Sequence, residues 1–277
     1  PDERRGLHGR LAELVPHTEE CAPPPAFSTD APDSDIAPAL AEAAEHARAR
    51  GATASAAELC EEARRLTPPD REEDAHRRTV AAARYRFVAG DTARARALLE
   101  EALPSTRGGA DLAEALVLLG RLHRYEGDQP QAAELLRRAL AETRASDRVR
   151  AQAAQGLAVT LFFMREELEV AQGHAALGAE LAARAGALAV QAESLEDQGH
   201  IETLLGRPEA AATCQAAREL RDVPAKEDLV ALPSYAADIY LCWTDEHQDA
   251  AVRLRQRYEE GVASGDEWSA PMVLSNL

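Results

Sequence analysis

FVAGDTARARALLEEAL, residues 87–103, and YEGDQPQAAELLRRAL, residues 125–140, follow one plan: an aromatic residue, Gly-Asp, then an alanine-rich run containing a leucine pair. With the glycine as a marker, the same plan extends in both directions to Gly51, Gly90, Gly127, Glu166, Gly206 and Glu246. The steps between these markers are 39, 37, 39, 40 and 40 residues. A near-constant step of this size is the mark of a stacked array, in which one supersecondary unit recurs and each copy buries its apolar face against its neighbours.

The residues around the markers define the unit. Five positions after each comes an alanine: Ala56, Ala95, Ala132, Ala171, Ala211 and Ala251. Eight after it come Leu59, Leu98, Leu135, His174, Cys214 and Leu254, and seven before it Ala44, Ala83, Gly120, Val159, Gly199 and Ile239. Small residues twelve positions apart, one on each side of a turn, let two antiparallel helices approach closely. Glycine at four markers supplies a left-handed residue to end the first helix, and Asp91 and Asp128 then suit the positive end of the second. Glu166 and Glu246 break the glycine rule, so their turns are expected to differ in geometry or to be a residue longer. The predicted fold is all-α, a right-handed superhelix of about six helix-turn-helix repeats over residues 35–277. An N-terminal helix and a Pro-rich linker occupy residues 1–34, since Pro23, Pro24 and Pro25 cannot sit inside a helix. EWSAPMVLSNL, ending at Leu277, reads as the opening of a seventh pair, and a chain that starts at Pro1 is expected to be a piece of a longer one.

Composition narrows the chemistry. The 277 residues are 45% hydrophobic, much of it alanine, and carry a net charge of −17. Such a field repels polyanions, so direct contact with nucleic acid or an anionic membrane is not expected. The single lysine, Lys226, has no glycine-rich loop before it, which excludes a phosphate-cradling G-x-x-x-x-G-K-[ST] loop. Cys21, Cys60, Cys214 and Cys242 show no metal or redox spacing and read as buried small residues of a reducing, cytoplasmic compartment. The eight histidines lie at unrelated repeat phases, and no H-E-x-x-H, G-x-S-x-G or G-x-G-x-x-G motif occurs. Neither a catalytic constellation nor a metal site is predicted, and no enzymatic role.

The spacing of small and apolar positions resembles the tetratricopeptide repeat, with a longer period than that family's usual 34 residues. The whole chain goes further: ERRGLHGRLAELV at the start, ALAEAAEHARARGATASAAELCEEARRLTPPD in the first repeat and GDEWSAPMVLSNL at the end resemble the central region of the large ATP-binding LuxR-type transcriptional regulators. The resemblance implies a signal-sensing or scaffold arm between an ATPase module and a helix-turn-helix module. ATP would then be the cofactor of the parent protein and not of this region. It also implies a small-molecule or peptide effector; the alanine-rich helices and the open seventh repeat favour association with another copy. CAPPPAFSTDAPDSD, residues 21–35, departs from the short helix usual at that place.

In that geometry the first helix of each pair lines the concave side, at positions six, three and two before the marker. Read off, these are Arg84, Phe87 and Val88, then Arg121, Arg124 and Tyr125, then Thr160, Phe163 and Met164, then His200, Thr203 and Leu204, and finally Tyr240 and Trp243. Nearly half of the aromatic residues of a 4% aromatic chain fall here. The expectation is a groove with a cationic end (Arg84, Arg121, Arg124) and an aromatic end (Phe163, Tyr240, Trp243), suited to an anionic amphipathic ligand or an acidic peptide. The competing expectation is that these aromatics pack between repeats and the arginines answer local carboxylates. A free-standing adaptor that docks a peptide, unrelated to transcription, fits the same residues.

Overall fold

The computed structural model describes residues 31–105, 108–142, 144–165, 167–221, 241, 246–264 and 273–274. Among them are eleven α-helices and no strand: α1 (Ile36–Ala49), α2 (Thr53–Arg65), α3 (Glu72–Val88), α4 (Thr92–Ala102), α5 (Ala110–Tyr125), α6 (Gln129–Ala141), α7 (Asp147–Met164), α8 (Leu168–Ala185), α9 (Leu188–Leu204), α10 (Ala210–Arg221) and α11 (His247–Ser264). The chain divides into two compact units, one built on α1–α4 and the other on α5–α10 and most of α11. In the first unit α1 pairs with α2 and α3 with α4. In the second, α5 pairs with α6, α7 with α8 and α9 with α10. Within each unit the second helix of one pair also packs on the first helix of the next, as in a stacked array. The predicted N-terminal helix, Pro23–Pro25 and Ile239 lie outside the described residues.

The turns explain why pairs form at these places. Gly90 and Gly127 end their helices at φ +80° and +87°, where a Cβ would be strained. Each glycine N–H returns to the carbonyl three residues back, and the aspartate N–H after it reaches the carbonyl five back: Asp91 to Arg86 at 2.8 Å, Asp128 to His123 at 2.9 Å. The same aspartates then cap the following helices, accepting from Arg94 N and Gln131 N. Gly51 and Gly206 also lie at positive φ. The turn around position 166 differs, as expected: Arg165 and Glu167, neither of them glycine, take left-handed φ values of 56° and 48°. A further glycine turn, at Gly186 with φ 66°, joins α8 to α9 and so links two pairs instead of closing one.

The close approach of paired helices is visible at the small residues. A Cβ on Gly120 would stand 2.8 Å from Leu136 Cγ and 3.4 Å from the Ala132 carbonyl. One on Gly199 would stand 2.5 Å from Cys214 Sγ and 3.2 Å from the Cys214 backbone nitrogen. In the fourth pair the expected position, Val159, is only half-buried, and the small residue sits instead on the second helix: Gly178 faces the Gln155 nitrogen and the Ala151 carbonyl. Leu136 fills the hollow between Gly120 and Gly156 and, with Ala133, Leu157, Leu161, Ala171 and Ile201, forms the core of the second unit.

One regularity read from the sequence fails. Ala56, Ala95, Ala132 and Ala171 are fully buried, whereas Ala211 is exposed and Ala251 half-buried. Their places are taken by Ala210 and Ala250, one residue earlier. Each residue turns a helix by about 100°, so a shift of one position moves the inward stripe off the predicted alanine. Cys214, eight after its marker, accordingly stands against Gly199 as Leu136, nine after its marker, stands against Gly120.

Cys60 and Cys214 are buried free thiols, which burial pushes up to about 12 and about 11, so they pack as small apolar groups. Cys21 and Cys242 lie outside the described residues. Among the described residues no cluster of metal-ligating side chains occurs, and no helix is long and apolar enough to cross a membrane.

Candidate functional site

The first helices of the second unit, α5, α7 and α9, lie side by side, α7 in contact with both of the others. They bring Arg121, Arg124, Tyr125, Phe163 and His200 into that unit. Arg84 and Phe87 belong to α3 in the other unit, and Tyr240 and Trp243 lie outside the described residues.

The predicted cationic end is corrected by what surrounds it. Arg121 is 2% exposed, a buried guanidinium and not a surface one. Its Nη2 lies 3.4 Å from Gln155 Oε1 of α7 and 3.6 Å from Glu193 Oε2 of α9. Gln155 in turn donates from Nε2 to Asp197 Oδ2 at 2.7 Å, so one amide joins the arginine of α5 to an aspartate of α9. Glu193 and Glu196 are buried beside them, as is Gln152. Burial works against the charge on Arg121, and Glu193 supports it. Asp197 is held up to about 7, first by loss of solvent and then by the neighbouring Glu196 and Glu193. The Gln155 hydrogen bond and Arg124 oppose that rise. Buried charges persist where they find partners, and Arg121, Gln155, Glu193 and Asp197 answer one another as an internal network. It is not a receptor for an anion.

Phe87 is also corrected: it is fully buried and cannot face a groove. Arg84 is half-buried in the first unit, where its charge opposes the rise of the Cys60 and Tyr85 protons. Arg124 keeps a half-buried place with its guanidinium 4.7 Å from the centroid of the Tyr125 ring, a cation–π contact.

The predicted aromatic end is open where it is described. Phe163 is 55% exposed at the end of α7, and Leu204 is 49% exposed at the equivalent end of α9. Phe162 joins the two helices: its ring meets Phe163 edge-on at 5.4 Å and lies 5.0 Å from His200 of α9. Burial lowers the His200 pKa, so the ring is neutral and acts as an aromatic surface. Thr160, predicted beside them, is wholly buried and bonds back to the Gly156 carbonyl. What stands open is a short apolar ridge at Phe163 and Leu204.

Gln155, Glu193 and Asp197 were not among the residues singled out from the sequence. A signal was present in ESLEDQGH, residues 193–200: Glu193, Glu196 and Asp197 recur at helical spacing on one face of α9, and the phases of Glu196 and Asp197 hold Val80 and Ala81, then Val117 and Leu118, in earlier pairs.

These features define an all-α array of tetratricopeptide-like helix pairs. No family model and no curated protein matches the chain. Among solved structures it is similar to the crystal structure of BtubC (BKLC) from P. vanneervenii, at 23% identity over 81% of this chain and 87% of that one, with a TM-score of 0.54. It is also similar to the crystal structure of the APC/C hetero-tetramer Cut9-Hcn1, at 14% identity over 98% of this chain and 51% of that one, with a TM-score of 0.51. A third likeness, to YrrB, described as a TPR protein with an unusual peptide-binding site, has 17% identity, covers 68% of this chain and 87% of that one, and has a TM-score of 0.43.

Proposed function

We propose that this chain is a protein-interaction scaffold that works by binding, and that a peptide segment with an apolar anchor docks on the ridge of Phe163 and Leu204. The exposed phenylalanine carries the reading. A helix-pair array buries its large apolar residues between neighbours, yet here Phe163 and Leu204 stand open near the ends of adjacent first helices, with Phe162 packed against Phe163 and His200. The similarity to Cut9-Hcn1, a hetero-tetramer, agrees with an array that assembles with other chains.

The regulatory setting comes from the sequence resemblance. In it the array is the sensor or scaffold arm of an ATP-binding LuxR-type regulator, and its effector changes how a neighbouring ATPase module and helix-turn-helix module associate. A free-standing adaptor would use the same ridge. The parent reading frame separates the two: a G-x-x-x-x-G-K-[ST] loop upstream and a helix-turn-helix downstream belong only to the regulator.

Binding is tested by selecting peptides from a random display library against the 277-residue chain. The selected peptides should carry a bulky apolar residue and bind at least about ten-fold more weakly to Phe163→Asp and Leu204→Asp chains of unchanged melting temperature, the loss of one buried anchor. Peptides indifferent to both substitutions would remove the ridge from consideration.

A further inference from the structure

The network under the first helices does something that packing alone does not require. Arg121 of α5, Gln155 of α7 and Glu193 and Asp197 of α9 tie together three helices from three different pairs through side chains alone. Around this network α7 buries small and apolar residues such as Gly156, Leu157, Ala158 and Leu161, which carry no charge to change.

The charged groups around Asp197 lie on α5 and on α9 itself. α5 supplies Arg121 and Arg124, with the Tyr125 phenol beside Arg121, and α9 itself supplies Glu193 and Glu196. α7 supplies the neutral amide of Gln155, and from α10 the Cys214 thiol, with Arg218 near it, faces Glu196. With Asp197 ionised, three carboxylates stand against the two arginines of α5. With Asp197 protonated, that face of α9 carries one negative charge fewer. We propose that this network is a proton-controlled clasp: one proton taken up at Asp197 tightens the packing of α5, α7 and α9, and its release loosens it. The clasp goes beyond the binding role and stands whether or not the Phe163 ridge holds a peptide.

The direction follows from linkage. An aspartate in the unfolded chain gives up its proton near 3.8, whereas in the folded network it holds the proton to about 7. Between these values the folded chain binds a proton that the unfolded chain lacks. Stability is therefore greatest at the acid end of that window, falls as pH rises, and levels off above about 7. Half-buried His174 and His200, whose pKa values burial lowers, act in the opposite sense at mildly acid pH, so the difference between variants is the quantity to read.

Urea unfolding of the full chain is measured from pH 5 to pH 8.5 for the wild type and for Asp197→Asn, which keeps an acceptor for Gln155 and cannot ionise. The wild type should lose stability relative to Asp197→Asn as pH rises, by at least about ten-fold in the folding equilibrium constant. Parallel curves would overturn the clasp. Gln155→Ala provides a second reading should Asp197→Asn fail to fold. Without the amide that favours the ionised form, the fall should move to higher pH, and a fall that stays in place contradicts the proposal.

Discussion

Gly199 and Gly173 are both glycines within helices, and the fold gives them opposite meanings. A methyl group on Gly199 meets the Cys214 sulfur and backbone of the partner helix, while one on Gly173 meets nothing within 4 Å. Gly199→Ala should therefore destabilise by about 1–3 kcal/mol through overpacking. Gly173→Ala should stabilise by about 0.5–1 kcal/mol by helix propensity alone. Urea unfolding of the two variants checks both, and equal effects would mean that the helices of the fifth pair do not meet as described. The Asp128 cap allows a similar comparison. Asp128→Ala should cost about 1 kcal/mol, and Asp128→Ser should recover most of it, because serine also accepts from the third backbone nitrogen. At this scale the sequence was readable for capping residues and small contact residues, whose roles are local. It was misleading for Arg121 and Phe87, because the repeat phase says which helix face a residue occupies and not how deeply the neighbouring pair covers it.

The helix pair is the element that repeats, and its turn sets its quality. Three glycine turns close their pairs at Gly51, Gly90 and Gly127, then the fourth is made without glycine, between Arg165 and Glu167. A left-handed φ costs a residue with a Cβ about 1 kcal/mol more than glycine. Glu167→Gly should therefore raise stability by about 0.5–1 kcal/mol, seen as a higher urea midpoint with an unchanged slope. A lower midpoint would show that the Glu167 side chain supports the turn. The period was legible because glycine and aspartate at the turns have strict backbone reasons to be there. The one-residue shift into α10 and α11 was not, since a sequence this rich in alanine offers a small residue at Ala211 as readily as at Ala210, and only burial tells them apart.

For the whole molecule, the array has two kinds of surface between and around its pairs. Among the described residues its interior is mostly alanine and leucine, with a charged network joining the first helices of the second unit. Its open apolar ridge lies on the same helices, at Phe163 and Leu204. The two features call for different experiments, a change of pH for the first and a change of side chain for the second, so either can fail without the other. The charge pattern also bears on partner choice: with −17 on the chain, an acidic peptide is a poor fit. The aromatic half of the predicted groove remains as the basis for binding. The most direct test of that role is to map, by backbone amide chemical shifts, where a display-selected peptide lies on the labelled chain. The account predicts shifts at Phe163, His200 and Leu204 on α7 and α9, with none at exposed Arg137 and Ala183 on the second helices. Shifts confined to α6 and α8 would contradict it.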